Sequence, residues 1–561
     1  MPRVDPRSDV RLSRGLRALP SALEALLLVA IQLLLMWGFW KHVDIHIVDE
    51  VHYYYRGISL LRGELSAMSL AWGPLYSLAY GLLSLLPLGQ ALPLDLMGLI
   101  TGVGSVLALW WCTRPLLKGP LAVLLAAWCG ASPLLLNSGR TVALQGVYAF
   151  GLMLLALAIG AFVRGRRWTG AALLVALCLV RIESALILLT AGVLLALLSR
   201  REARRATRRP ALLILTAGAI FLLAALFHPG VKRRSWLAFK QHHAQLALII
   251  SGDPAPALPE QPFSRPDRWI RADFPGARSV GQAVIENPGT FGAHVLFNLR
   301  SLPRALARLY FDGFSHLGVL RTLALCLGGL LAGAGLLRRQ LKLGAVLSAC
   351  PAPVWALLAS GLASVPVALS LSSRAELMMP AVPIGLLLWA LLVRDGWRAV
   401  RGPLHRLTGG RLDQRSPHLQ RWSGAAAGAL VLTAVVVGRP VFPATAARPL
   451  VHRVSSAIVR ARLPDDRPHR LLGVNVGSYL KLSGKREAHR FYDLGASQDR
   501  AHLSFSALVK RTRPDYILVT PLLFAVEGLH PGISDEISSP RWHAEELRPG
   551  YRWLSRAPAR R

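Results

Sequence analysis

Uncharged apolar stretches near 20 residues long recur along this chain, separated by short arginine-rich breaks. A helix of that length spans about 30 Å of hydrocarbon. Inside lipid only helices and closed β-barrels satisfy their own backbone hydrogen bonds, and these runs are too long and too continuously apolar for barrel strands. With 53% hydrophobic residues, the expected fold class is an all-α polytopic membrane protein. The first run, from about Ser21 to Trp40, is long for a signal peptide and lacks a small-residue cleavage site, so it reads as a retained first helix.

The basic breaks set the expected orientation. A tail over residues 1–20 carries Arg3, Arg7, Arg11, Arg14 and Arg17. Further clusters follow at "TRPLLKG" (113–119), "RGRR" (164–167), "RREARRATRRP" (200–210), "RRQLK" (338–342) and 394–421. The positive-inside rule puts all of them on the cytoplasmic side. An even number of crossings must then separate neighbours. Residues 72–92, opened by Pro74 and anchored by Trp72, Tyr76 and Tyr80, are therefore expected to lie in the outer interface rather than to cross.

About 11 transmembrane helices result: 21–40, 94–112, 119–136, 142–163, 168–181, 184–199, 211–228, 314–336, 344–371, 377–393 and 423–438. Together with interfacial helices they form a domain over 21–440 with outer loops at 41–93 and 229–312. In the second loop, "FGAHVLFNLRSLPRAL" is amphipathic and expected to lie on the membrane. The segment 441–561 is less membrane-like. "HRLLGVNVGSYLKL" and "RPDYILVTPLLF" read as strand-like runs and "FSALVKRTR" as a helix, so a small extracytoplasmic α/β domain is expected.

Composition narrows the partners. The formal charge of +35 sits in short clusters between apolar runs rather than along one groove, so membrane lipids are the expected partner and nucleic acid is not. The five cysteines (112, 129, 178, 326, 350) all lie in apolar runs without a CxxC, which argues against a disulfide framework or a thiolate metal site. Adjacent histidines 242 and 243 point apart on a helix and make a poor metal pair. Nucleotide-binding and hydrolase motifs are missing: there is no P-loop, GxGxxG, HExxH or GxSxG.

The polar residues left over gather on the expected outer side. Asp49 and Glu50 follow the first span. Arg140 caps the third. Arg181 and Glu183 mark the junction of the fifth and sixth, and Arg374 and Glu376 lie between the ninth and tenth. Taken singly, each has a plain structural reading: a solvated helix end, a headgroup anchor, a local ion pair. Taken together, carboxylates and arginines on one face suit an anionic, membrane-borne substrate. If helical, residues 49, 52, 53 and 56 share a face, which groups Asp49, His52, Tyr53 and Arg56.

The order "DEVHYYYRGISLLRGE", "WGPLY", "SGRTVALQGVY", "LVRIESALILL", "SSRAELMMPAVP" resembles the GT-C superfamily of integral-membrane glycosyltransferases. The likeness is strongest to the branch related to protein O-mannosyltransferases and lipid A aminoarabinose transferases. Asp49 and Glu50 match that family's acidic pair, and Pro74, Leu75 and Tyr76 its Pro-Pro-Leu-Tyr-like segment. Arg181 and Glu183 match an Arg-Pro-Glu-like motif, and Ser373, Arg374, Pro380 and Pro383 the late motif. The likeness covers roughly residues 20–395. Gly73 stands where a proline is common, and Ile182 replaces another.

What the resemblance implies is a GT-C-like enzyme of the bacterial cytoplasmic (inner) membrane with a cytoplasmic N-terminus. It would move a sugar from a polyprenyl-phosphate donor to a hydroxyl of a lipid, glycan or protein acceptor. On that reading Asp49 and Glu50 are catalytic. Arg374, Arg181 and Arg140 hold the donor phosphate. Tyr53, Trp72, Tyr76 and Glu183 line the sugar and acceptor pocket. No cofactor is required, although a divalent cation at Glu50 stays an option. Two other classes fit a chain of this composition: a lipid-linked glycan polymerase or ligase, which would not need the early acidic pair, and a non-enzymatic transporter. Transporters favour broken mid-membrane helices, and the proline-rich ninth span is the feature pointing that way.

Overall fold

The computed structural model describes residues 6–37, 47–64, 73–86, 92–117, 120–131, 146–201, 205–251, 266–311, 329–330, 333, 351–370, 375–407, 417–438, 451–474, 476–483, 489–494, 503–524 and 530–557. The expected span at 314–336, apart from residues 329–330 and 333, and the basic break at 338–342 lie outside these residues. So do Trp72, Arg140 and Arg374 and the side chain of Asp49.

Helices dominate the first 438 residues: α1 (Pro6–Leu35), α2 (Ile47–Leu61), α3 (Pro74–Ser84), α4 (Leu92–Leu117), α5 (Pro120–Gly130), α6 (Gly146–Val163), α7 (Arg167–Val180), α8 (Ala185–Arg201), α9 (Arg205–Phe227), α10 (Pro229–Ser251), α11 (Pro266–Asp273), α12 (Val280–Glu286), α13 (Pro288–Phe311), α14 (Ala352–Ser360), α15 (Ser364–Ser370), α16 (Val382–Leu407) and α17 (Pro417–Gly438). Among the described residues five stretches are long and apolar enough to cross a membrane, and five shorter apolar helices accompany them. The chain is a multi-pass helical membrane protein. Helix α3 is 11 residues long, about 16 Å, too short to cross.

Three sequence expectations need correction. The stretch 344–371, expected as one helix, is broken: a 3₁₀ turn over Gly361–Ala363 separates α14 from α15. A Cβ on Gly361 would lie 2.2 Å from the Pro380 carbonyl oxygen, so the break lets two backbones touch. Pro366, lacking an N–H, adds to the cost of a continuous helix there. The region 229–312 is no simple loop; it holds α10 to α13. Helix α1 begins at Pro6, inside the expected tail.

One end of the bundle is marked by arginines held on tryptophans. Arg114, in the last turn of α4, donates through Nε to the buried Glu24 carboxylate on α1 at 2.9 Å, and Trp110 Nε1 donates to the same oxygen at 3.1 Å. A buried carboxylate is tolerated only with such partners. Arg164, just past α6, lies 3.8 Å from the Trp111 ring centroid and donates to the Trp111 carbonyl oxygen at 2.6 Å. "TRPLLKG" and "RGRR" therefore share one end of the bundle.

The C-terminal part folds as α18 (Val451–Arg462), β1 (Arg470–Gly473), α19 (Val476–Ser483), β2 (Arg490–Asp493), α20 (Phe505–Thr512), β3 (Tyr516–Val519), α21 (Pro521–Phe524), α22 (Ile533–Ile537), β4 (Trp542–Arg548) and β5 (Tyr551–Arg556). The sheet order is β2-β1-β3-β5-β4. The first three strands are parallel, β5 runs antiparallel to β3, and β4 runs antiparallel to β5. Successive residues alternate between the two cores. Leu472, Ile517 and Val519 pack with Phe505 and Leu508 on one face; Leu471 and Leu518 pack with Val459, Tyr479 and Leu480 on the other. "FSALVKRTR" is helical as read, but only the first part of "HRLLGVNVGSYLKL" is a strand and the rest is α19. At the outer edge, β4 carries the sequence WHAEELR with a register shift between Glu546 and Arg548. Helix α19 packs on α2, which joins this unit to the bundle.

Candidate functional site

Helix α2 carries the acidic pair, and glycines decide where it sits. A Cβ on Gly57 would meet the Ser77 carbonyl oxygen at 2.0 Å, and one on Gly81 would meet the Gly57 carbonyl oxygen at 2.5 Å. The backbones of α2 and α3 thus touch, as small residues allow between membrane helices. Ahead of α3, Gly73 has φ +66°, and its missing Cβ would lie 1.7 Å from the Val180 carbonyl oxygen. Only glycine fits. This contact fastens the start of α3 to the end of α7, one residue before Arg181. The departure at Gly73 from the family pattern therefore has a structural reason.

The contact between α2 and α3 brings tyrosines to Glu50. Tyr76 donates its hydroxyl to Glu50 Oε2 at 2.9 Å, and Tyr80 donates to the same oxygen at 2.5 Å. The Gly146 amide, the first N–H of α6, donates to Oε1 at 2.8 Å. That N–H has no partner within its own helix, and a helix N-terminus favours negative charge. Glu50 therefore joins three helices. Burial raises the Tyr76 and Tyr80 phenols well above their ordinary range, and the Glu50 charge raises them further. Tyr53 stacks edge-on against Tyr76, with centroids 5.0 Å apart, and is buried. Its phenol is raised by burial and opposed by the positive charges of Arg181 and Arg234. Asp49 lies in α2 one turn before Tyr53.

Arg181 occupies the break between α7 and α8. Helix α7 ends at Val180, Arg181 is extended (φ −150°, ψ 124°), and a single 3₁₀ turn over Ile182–Ser184 leads into α8. Across that turn Arg181 donates through Nη2 and Nε to Glu183 at 2.9 and 3.3 Å. Its guanidinium carbon lies 4.4 Å from the Tyr148 ring centroid. The third nitrogen, Nη1, is buried with no hydrogen-bond partner among the described residues. Arg181, Glu183 and Tyr148 line a cavity whose other walls are mostly apolar: Leu152 and Leu155 from α6, Val367 from α15, and Met379 and Pro380 from the 3₁₀ segment Ala375–Ala381, with Ser184 and Ser364 as the remaining polar side chains.

The two clusters share one end of the bundle. Helix α6 starts at Gly146, on Glu50, and ends beside Arg164; its 18 residues separate the two ends by about 27 Å. Helix α7 starts at the Arg164 end and returns to Arg181. Glu50, Tyr53, Tyr76, Arg181 and Glu183 therefore sit together, opposite the tryptophan-held arginines. Asp49, Trp72, Arg140 and Arg374 cannot be placed with them, because those side chains lie outside the described residues. Among the described residues no three His, Cys, Asp or Glu side chains converge as metal ligands.

Sequence reasoning passed over four contributors. Tyr80, read only as an interface anchor and not as part of the site, is one helical turn after Tyr76, so its shared face was readable by spacing. Gly146 and Tyr148 lie in "SGRTVALQGVY", a segment that counted toward the resemblance but in which neither residue was given a role. Arg234 falls in the region 229–312, expected as an outer loop, and was given no role. It sits on α10 one turn after Val231, which packs on Ile182, and its charge acts on Tyr53 and Arg56.

No family model matches the chain, and no curated protein does. Among solved structures, ArnT from Cupriavidus metallidurans bound to undecaprenyl phosphate is similar at a TM-score of 0.45 and 13% identity, covering 95% of this chain and 98% of that one. The archaeal oligosaccharyltransferase AglB from Archaeoglobus fulgidus, in complex with an inhibitory peptide and a dolichol-phosphate, is similar at 0.43 and 13%, covering 96% of this chain and 75% of that one. The chemistry of the site is accordingly read from this chain's own residues.

Proposed function

We propose that the chain is a membrane glycosyltransferase. It transfers a sugar from a polyprenyl-phosphate donor to an acceptor hydroxyl at the extracytoplasmic face of a bacterial inner membrane. The observation that carries this is Arg181: a half-buried guanidinium, fixed by Glu183 and Tyr148, whose buried Nη1 amino group is left over in a mostly apolar cavity. A lipid-linked phosphate pairs an anion with hydrocarbon, and such a cavity suits both parts.

Asp49 takes the acceptor proton as the acceptor oxygen bonds to the anomeric carbon. The bond from that carbon to the phosphate oxygen breaks, and its electron pair leaves with the phosphate. Arg181, with Arg374 and Arg140, stabilises the added charge there. Arg234 and Arg56 add positive potential from α10 and α2. The leaving phosphate is already anionic, so no strong acid is needed. Glu50 is a positioning residue, since its carboxylate holds α2 against α3 and α6 and so sets where Asp49 stands. One base contributes about 10²–10⁴-fold.

The test is transfer by purified protein in nanodiscs against a panel of undecaprenyl-phosphate sugars. Wild type should turn over at least one donor. Asp49→Asn should abolish turnover while still binding undecaprenyl phosphate. Normal turnover by that variant would remove Asp49 as the base, and no transfer from any donor in the panel would remove the assignment.

A further inference from the structure

Four side chains on helices α10, α11 and α13 form a chain of hydrogen bonds ending on α15. Asn298 Nδ2 lies 2.9 Å from the Leu369 carbonyl oxygen and 3.0 Å from His294 Nε2. His294 Nδ1 lies 3.4 Å from His243 Nδ1, and His243 Nε2 lies 2.7 Å from Asp273 Oδ2. His243, His294 and Asn298 are buried, 4%, 1% and 5% exposed, and Phe239, Phe274 and Phe291 pack around the rings.

The carbonyl fixes the protons along the chain. Leu369 O can only accept, so Asn298 presents its NH₂ group at this corner. That group's second hydrogen points at His294 Nε2, which must accept. His294 then carries its proton on Nδ1 and donates to His243 Nδ1. His243 in turn carries its proton on Nε2 and donates to Asp273. Every link is satisfied only while both rings are neutral. A second proton on His294 sets an N–H against the Asn298 NH₂; a second proton on His243 sets two N–H groups face to face. Turning the Asn298 amide relieves the clash at His294, but it places Oδ1 against the Leu369 carbonyl oxygen.

We propose that this chain is a pH-sensitive latch. It holds α13 to the end of α15 when His243 and His294 are neutral and releases it when either is protonated. The inference goes beyond the glycosyltransferase reading and does not rest on it. Among the described residues, the charged groups on these helices that pair near the rings include Asp273, at the end of α11, which accepts from His243, and Lys240, paired with Asp267. Glu286 of α12 accepts from the Gly276 amide, and α15 carries no ionisable residue. What the latch controls is a wall of the Arg181 cavity, because Ser364 and Val367 of α15 line it and Met379 and Pro380 follow. Histidine is the side chain whose charge changes across this range.

Hydrogen exchange of the full-length protein in nanodiscs reads the latch through protection of residues 364–370, corrected for the intrinsic pH dependence, with α6 as reference. Wild type should lose about tenfold protection there between about pH 8 and about pH 5. His294→Phe keeps the aromatic packing and the Asn298–Leu369 bond, so it should stay protected at both. Asn298→Asp sets carboxylate oxygens against the Leu369 carbonyl and should be unprotected at both. Wild-type protection that does not move with pH overturns the proposal, and so does a full pH response surviving in His294→Phe. If Asn298→Asp fails to insert, the His294→Phe comparison still decides.

Discussion

Glu50 and Arg181 show how much one side chain can settle here. Glu50 accepts from two buried phenols and a helix-starting amide, and hydrogen bonds to a charged group contribute roughly 1.5–3 kcal/mol. Glu50→Gln replaces one acceptor oxygen with an NH₂ group that opposes either the Gly146 amide or the tyrosines. It should lower the thermal midpoint in detergent, with loss of activity following the loss of fold. A Glu50→Gln protein as stable as wild type but inactive would make Glu50 a chemical participant instead. Arg181→Lys keeps the charge but not the fork to Glu183 or the face on Tyr148. We expect it to bind undecaprenyl phosphate several-fold more weakly than wild type and more tightly than Arg181→Ala; equal affinity in all three would take Arg181 out of the phosphate site. The acidic pair and the Arg-Ile-Glu turn stood out in the sequence because charges flanking apolar runs are conspicuous. Of the donors on Glu50, Tyr76 was read as a pocket residue, but Tyr80 and the Gly146 amide were not, because a phenol and a backbone amide carry no charge and meet Glu50 only through tertiary packing.

At the scale of elements, the site end is assembled by backbone contact. Gly73→Ala must put a side chain at φ +66°, costing about 1–2 kcal/mol, and must also push α3 off the Val180 carbonyl. Gly57→Leu must part α2 from α3. Both variants should loosen α2 and α3 in hydrogen exchange while leaving α4 and α6 protected; unchanged exchange in α3 for Gly73→Ala would show that this contact does not fasten it. Helix periods and lengths were legible where apolar runs were long, as for α4, α6 and α9. The division of 344–371 was not, because it follows from Gly361 meeting Pro380, a contact between residues 19 apart. Nor was the helical content of 229–312, where Phe239, Phe274, Phe291 and Ala283 form a small core that no single segment reveals.

For the whole molecule, the arrangement makes a claim about sides. Arg62, after α2, and Arg166, after α6, are exposed, and the reading of 41–93 as an outer loop puts them at opposite ends of the bundle. In a cysteine-free background, Arg62→Cys and Arg166→Cys should react with a membrane-impermeant maleimide from opposite faces of sealed inverted and right-side-out vesicles. Labelling of both from one face would contradict the two-ended arrangement and with it the extracytoplasmic site. The C-terminal sheet was foreseen as a class from its alternating runs, although its mixed strand order depends on pairings far apart in sequence. Its margin has a bearing on life in a crowded bilayer. Proteins confined to a plane meet one another at high local density, always in the same orientation, so a bare sheet margin held at a fixed height would invite strand-to-strand adhesion. Strand β4 exposes His543, Ala544 and Glu546 and breaks register at Glu546 and Arg548. Charge and irregularity of that kind discourage intermolecular zippering, so neighbouring copies can diffuse past one another without polymerising through that edge.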